Sequence, residues 1–324
     1  MKKLTAALIV GASLAATSAA AQTTINLAHV LSEASAYQAI FARFKELAEE
    51  RSGGAITVNI QCCGQAGNEG RLIQSVRTGV LDGAFVGGSS LETVVPDFRV
   101  LSLPYLFDDN AQANRILQGP TGDEMLGLLD EFGMTGLGWG AIFERNLATR
   151  QPVEAVEDLR NLKLRVLQTP GFVEAYNALG AQPTPMAYGE VFLAIQNGVV
   201  DGLEISPDAV VADRFVEAIG AYALTKVHQS TTVFVMGKAR FEGLPAETQA
   251  LVREAARDAI GHGLAEHQRL NEAGLAKVRE MGVTVTEPDL EPFMAAARAS
   301  YPTILAGAPG GEALVAKIEA AKAQ

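Results

Sequence analysis

Residues 162–205 read LKLRVLQTPGFVEAYNALGAQPTPMAYGEVFLAIQNGVVDGLEI, and their changing periodicity decides the fold class. LKLRVLQ alternates as a strand, with Leu162, Leu164 and Val166 on one face and Lys163, Arg165 and Leu167 on the other. PGFVEAYNALG then has helical spacing, AQPTPM is extended, YGEVFLAIQNGVV is helical again, and DGLEI returns to a strand. Alternation of this kind predicts a parallel sheet with helices packed on its faces. It also raises a question of charge, because Arg165 puts a guanidinium inside a strand that otherwise reads as buried.

An earlier stretch repeats the pattern. TINLAHVL (24–31) reads as a strand with Ile25, Leu27 and His29 on one side. SAYQAIFARFKELAEERSGG (35–54) carries a helical stripe of Ala39, Phe41, Phe44 and Leu47, stopped by Gly53-Gly54. AITVNIQ (55–61) is a strand, and EGRLIQSVRTGVLDGAFVGG (69–88) gives a helix and a short apolar strand from Leu81 to Val86. TGLGWGAIFERNLATRQPV (135–153) reads as an extended link from the first unit to the second, and TTVFVMGKARFEGLP (231–245) as a strand after it. Pro245 opens a helix reaching about Met281, with Gly261 and Gly263 inside it at about 1 kcal/mol each. Two α/β lobes with two crossing strands make a clamshell, hinged near 142–147 and 231–235. Ligands of open α/β sheets bind beyond the carboxyl ends of the strands, here in the cleft between the lobes.

Composition and the amino terminus bound the chemistry. The chain has 324 residues, 48% hydrophobic and 19% charged, which suits a packed protein of two domains. MKKLTAALIVGASLAATSAAA (1–21) combines a basic start, a short apolar run and an A-x-A end, and reads as a cleaved signal peptide for export to a bacterial periplasm. Removing Lys2 and Lys3 with it takes the formal charge from −11 to −13, so nucleic acid and anionic membrane surfaces are poor partners. Two cysteines are present, Cys62 and Cys63, and an oxidising compartment leaves open a vicinal disulfide or two small free thiols. Four histidines are scattered, no metal site is expected, and no cofactor motif occurs. No nucleophile is paired with a base in any recognised motif, so no enzyme is expected.

The arginines remain. Arg165 stands near the carboxyl end of its strand, where the cleft should open, and Arg145 follows the apolar AIF at the crossing between lobes. A guanidinium fork matches a carboxylate bidentately. It serves equally in an ion pair, with an Asp or Glu at a helix crossing for Arg165, or with Glu144 or another surface acid for Arg145.

Four stretches carry a family resemblance: LDGAFVGGSSLETVVPDFRVLSLPYLFDD (81–109), AVEDLRNLKLRV (155–166), QPTPMAYGEVFLAIQNGVVDGLE (182–204) and FEGLP (241–245). From about residue 24 to 295 the chain resembles the DctP-like solute-binding subunits of tripartite ATP-independent periplasmic (TRAP) transporters. The resemblance implies a two-domain periplasmic-binding-protein clamshell with crossing strands and a long helix spanning both domains. On that pattern 22–143 plus about 232–270 form domain I, and 144–231 plus about 271–324 form domain II. It further implies that Arg165 forms a bidentate salt bridge with a substrate carboxylate, that Arg145 also contacts the anion, and that Tyr188 packs on the ligand. Partners would be a small organic acid anion and the small and large membrane subunits, driven by an ion gradient; the subunit itself is expected to be a monomer.

Departures from the family pattern are informative. DGLEISP replaces the more usual DG-x-E-N-P, placing Glu204, Ile205 and Ser206 there, and QCCGQAG replaces a Pro/Ser-containing turn. Gly87 and Ser90 stand where sialic-acid binders carry Glu and Arg; Gly87, Gly88, Ser89 and Ser90 would form a small, backbone-lined wall. The expected ligand-binding set is thus Arg165, Arg145, Tyr188, Ser89, Ser90, Ser206, Glu204 and His29. Trp139 is expected in the core. An exported ligand sensor, or an exported enzyme acting on a small acid, is the competing class.

Overall fold

The computed structural model describes residues 22–323; the signal-peptide reading of residues 1–21 lies outside them. The first sheet takes β1 (Thr23–Ala28), β2 (Ile56–Gln61), β3 (Gly83–Gly87), β4 (Met134–Trp139) and β10 (Thr232–Gly237) in the order β2-β1-β3-β10-β4. The second takes β5 (Phe143–Thr149), β6 (Lys163–Val166), β7 (Gln182–Pro185), β8 (Gly202–Ile205), β9 (Ala221–Ser230) and β11 (Thr284–Thr286) in the order β11-β9-β5-β8-β6-β7. Helices α1 (Ala36–Arg51) and α2 (Glu69–Thr78) connect the strands of the first βαβ run, and α5 (Pro170–Ala178), α6 (Val191–Gln196) and α7 (Pro207–Ala212) follow strands of the second. The remaining helices are α3 (Asn110–Leu117), α4 (Pro120–Leu128), α8 (Lys238–Glu242), α9 (Ala246–Glu280), α10 (Leu290–Ala297), α11 (Tyr301–Leu305) and α12 (Gly311–Lys322).

Both βαβ runs are parallel, as their periodicity requires: β1 pairs parallel with β2 and β3, and β6 with β7 and β8. The crossing strands are antiparallel to their neighbours, β10 to β3 and β4, and β5 to β8 and β9. The sheets are therefore mixed. The helix expected over 188–200 is shorter, a 3₁₀ turn at Tyr188–Glu190 followed by α6.

Two crossings run side by side between the sheets. β4 passes through residues 140–142 into β5, and β9 passes through Thr231 into β10. They are tied to each other: the Gly140 amide donates to the Thr232 carbonyl at 2.8 Å, and the Thr232 hydroxyl donates to the Ala141 carbonyl at 2.7 Å. Gly140 is required there, because a Cβ would stand 2.1 Å from Cζ of Phe85. Such a paired strap can bend without unpacking either sheet.

The cores follow the stripes read in the sequence. Phe41, Phe44, Phe85 and Phe234 pack edge to face or tilted under the first sheet, with centroids 5.0–6.2 Å apart. Val191, Ile195, Leu203, Ile205, Phe215 and Tyr222 fill the outer core of the second. Trp139 is core, lying over Phe98 and donating to the Gly122 carbonyl at 3.0 Å. The long helix α9 packs on α1 and on α7, so it spans both halves. A Cβ at Gly263 would meet Ile40 at 2.0 Å and one at Gly274 would meet the backbone of Asp208 at 2.6 Å, so these glycines allow the close approach; Gly261 faces open space. The C-terminal segment divides its packing: α10 and α11 lie on α5, whereas α12 lies on α3 and α4, next to the first sheet. The expected boundary, with all of 271–324 in domain II, does not describe this shared tail.

Candidate binding site

A cleft of about 470 Å³ opens between the two sheets, at the carboxyl ends of β1, β3 and β6 and beside the strap at Ser230–Thr232. The second unit supplies Arg145, Arg165, Gln168 and Tyr188, and the first supplies Cys63, Asn68, Glu69, Gly87 and Ser90.

Arg165 sits one residue from the end of β6, between β7 and β8, and its side chain is 2% exposed. Its Nε and Nη2 both donate to the Met186 carbonyl, at 3.1 and 2.9 Å. This fixes the plane of the guanidinium and leaves buried Nη1 without a partner. The Tyr188 ring centroid lies 5.7 Å from Cζ, and the Tyr188 hydroxyl donates to Asp213 at 2.6 Å, which holds the ring against the cation.

Arg145 arrives by a different device. β5 and β9 pair from Phe143 to Arg145 against Ser230 to His228, then shift register before Leu147 resumes against Ala223. The extra residues of β9 bulge out, with Lys226 left-handed and its amide bound by the Asn146 side chain at 2.9 Å. Such a bulge re-aims a neighbouring side chain. Arg145 turns onto Glu204, to which its Nε donates.

Glu204 is completely buried on β8, between the two guanidiniums. Its Oε1 is 3.8 Å from Arg165 Nη1, too far for a hydrogen bond. Two cations share the one buried anion, and the Glu69 carboxylate across the cleft also acts on Arg165. Burial pulls the Arg165 guanidinium below its ordinary pKa, against the opposing pull of Glu204 and with that of Arg145. For Arg145 burial also acts downward, but the Glu204 carboxylate outweighs it and the pKa is raised. Arg145 is thus satisfied by an internal carboxylate, while Arg165, which lines the cleft, is held by a neutral carbonyl and keeps one donor nitrogen unbonded. The counter-acid of Arg145 is this buried carboxylate and not Glu144, whose side chain instead accepts from Asn146 at 3.1 Å.

The opposite wall is rich in acceptors. Asn68 caps α2, accepting the Arg71 amide at 2.9 Å, and the next residue, Glu69, accepts the Gly87 amide at 2.9 Å and the Ser90 hydroxyl. A Cβ on Gly87 would lie 3.3 Å from the Glu69 carboxylate, so glycine lets the acid approach the strand end. Across the mouth, Asn68 Nδ2 donates to Gln168 Oε1 at 3.0 Å, joining the two units. The Cys62 and Cys63 sulfurs are joined in a disulfide, and Cys63 faces the cleft.

Of the residues singled out in the sequence, Arg165, Arg145, Tyr188 and Ser90 converge on the cleft, with Glu204 behind the arginines. The others do not reach it. His29 is fully buried, bonded to Gln38 at 2.8 Å between the rings of Tyr37 and Phe41. Ser89 is buried beside Ser90 but turned away, and Ser206 is buried and donates to Asp208. Asn68, Glu69 and Gln168 escaped the sequence reading. An Asn-Glu pair opening a helix at a strand's carboxyl end was the available signal.

Residues 27–307 match the family model described as DctP, bacterial extracellular solute-binding protein, family 7. The chain belongs to this family. A solute-binding protein of Verminephrobacter eiseniae is 32% identical over 83% of this DctP-family chain and 81% of its own length. A TRAP periplasmic solute-binding protein of Xanthobacter autotrophicus, solved with bound β-D-galacturonate, is 29% identical with a TM-score of 0.88, covering 91% of this chain and 99% of that one. The sugar acid binding protein DctPAm of Advenella mimigardefordensis, solved with galactonate, is 26% identical with a TM-score of 0.88, covering 92% and 98%. Family membership makes this DctP-family protein a solute-binding transport component, and the two-domain clamshell expected from its sequence is the fold it has. No helix among its described residues is long and apolar enough to cross a membrane, and no cluster of metal ligands occurs among them.

Proposed function

We propose that this DctP-family protein captures a sugar acid, a uronate or aldonate, in the periplasm and delivers it to the small and large membrane subunits of a TRAP transporter. The observation that carries the reading is Arg165, a buried guanidinium lining the cleft that no carboxylate hydrogen-bonds, its Nη1 left without a partner beside Glu204. A ligand carboxylate supplies the missing anion, held by Arg165 and the outer face of Arg145 with Tyr188 alongside. The acceptors of Asn68 and Glu69 on the opposite wall suit the hydroxyls of a polyhydroxylated chain or ring. The bound galacturonate and galactonate of two similar proteins support this class. The binding reading assigns no catalytic step, so the acid should leave chemically unchanged.

Calorimetric titration tests it with galacturonate, glucuronate and galactonate beside galactose, which lacks the carboxylate, and succinate, which lacks the hydroxyls. Binding of at least one sugar acid, with galactose and succinate much weaker, is expected. Glu69→Ala should weaken the sugar acid by about 1–3 kcal/mol, the cost of unpaired hydroxyls in a closed cleft. Equal binding of galactose, or no binding by any sugar acid, would overturn the assignment. Delivery is read from uptake into vesicles holding the two membrane subunits, which should require both this protein and an ion gradient.

A further inference from the structure

The turn that carries both cysteines is itself part of the cleft wall. Cys62 is 6% exposed whereas Cys63 is exposed and faces the cavity shared by Arg165 and Tyr188. Cys63 adopts φ +61°, a left-handed conformation that side chains with a Cβ disfavour. The turn is stitched to the end of β1, with the Cys63 amide on the Leu31 carbonyl at 3.0 Å and the Gly64 amide on the His29 carbonyl at 3.3 Å. It closes on itself through Gln65 to Cys62 at 3.0 Å and Gly67 to Gly64 at 2.9 Å. It then runs without a break into Asn68 and Glu69, the acceptors of that wall. A disulfide between sequence neighbours closes a small ring that contains their peptide bond. Opening it releases the backbone angles of Cys63, at the one position where a non-glycine residue of this turn is held left-handed.

We propose that Cys62–Cys63 is a thiol-exchange site, and that opening it loosens the wall bearing Asn68 and Glu69 and weakens capture of the solute. The affinity clause rests on the sugar-acid reading given above. The co-reactant is a small dithiol. One of its thiolates attacks the exposed Cys63 sulfur; the S–S bond breaks and its electron pair leaves on Cys62. That sulfur, 3.8 Å from Oε1 of Glu33, then takes up a proton from water. The second thiol then attacks the mixed disulfide, forming the reagent's own disulfide and releasing Cys63 as a thiol. Two electrons pass from the dithiol to the protein.

The experiment compares the purified protein before and after dithiothreitol under native conditions, beside the C62S/C63S variant. Alkylation and intact mass should show no label before treatment and two afterwards. Amide exchange over residues 64–70 should quicken on reduction, and galacturonate affinity should fall by roughly tenfold or more as a preorganised wall is lost. C62S/C63S should match the reduced protein and ignore the reductant. A disulfide that resists dithiothreitol in the folded protein overturns the proposal. So does unchanged exchange over 64–70, equal affinity in the two redox states, or an equal response of C62S/C63S to the reductant. If the oxidised protein binds none of galacturonate, glucuronate and galactonate, the sugar-acid reading fails instead, and the amide exchange alone decides the disulfide proposal.

Discussion

Arg165 Nη1 and Glu204 Oε1 face each other at 3.8 Å, both buried and neither with a hydrogen-bond partner. A structural ion pair would close that gap, because a buried charge pair offsets its lost hydration only with close, hydrogen-bonded geometry. Here the geometry is withheld from Arg165 and given to Arg145, which bonds Glu204 directly. The guanidinium is oriented by a neutral carbonyl, so its charge remains available to a ligand.

Arg165 should therefore dominate affinity while adding little to the empty fold. Arg165→Met keeps much of the volume and removes a desolvated cation, so the unliganded melting temperature should stay level or rise. Sugar-acid binding should weaken by about 2–5 kcal/mol, roughly thirty-fold to several thousand-fold. Arg165→Lys should also bind poorly, because an ammonium cannot hold the Met186 carbonyl and a carboxylate with one planar fork. Calorimetry beside thermal melts checks this; wild-type affinity in the Met variant would make Arg165 a structural residue.

Glu204→Gln is expected to behave in the opposite sense. It leaves two buried guanidiniums facing each other without their anion, and breaking a buried charge cluster in this way costs about 3–5 kcal/mol. The unliganded protein should melt markedly lower. A bound acid should then restore more stability than it adds to the parent, because its carboxylate supplies the missing charge. Melts with and without saturating galacturonate read both effects.

His228 sets an acid limit on stability. Burial, stacked on Phe172 at 4.2 Å, lowers its pKa from 6.5 to about 4, while Glu204 and a bond to the Ser102 carbonyl oppose the shift. Below pH 6.5 the unfolded chain takes up a proton that the folded chain refuses, so stability present above 6.5 falls as the pH drops toward about 4. The loss is on the order of 3 kcal/mol. Urea unfolding at pH 7.5 and 4.5 should show that slope in the parent and a shallower one in His228→Phe.

Closure should depend on the strap and the mouth. Asn68 reaches Gln168 across the cleft, and the two crossings bend together through Gly140, Ala141 and Thr232. Asn68→Ala removes the one cross-mouth bond between these side chains, so the unliganded protein should open and its radius of gyration should rise in small-angle scattering. Saturating ligand should bring the parent and variant back to one compact value. An unchanged radius in all four samples would count against closure.

Local spacing in the chain encodes both βαβ units, the crossing strands, the long helix and Arg165 at a strand's carboxyl end. Each rests on side-chain direction over a few neighbouring residues, which twofold or 3.6-fold spacing encodes locally. Even Gly263 was visible as an oddity, though only Ile40 explains it. The tertiary structure decided which charges meet. Glu204 faces Arg145 because β8 lies between β5 and β6 in the sheet, and Glu69 meets Gly87 because α2 returns its first turn to the end of β3. His29 shares its strand face with Ile25 and Leu27, and like them it lies in the core, where Gln38 satisfies it. Sheet order, register shifts and the packing of distant helices are long-range outcomes, and ion-pair partners and unbonded buried donors depend on them; no local spacing in the chain records them.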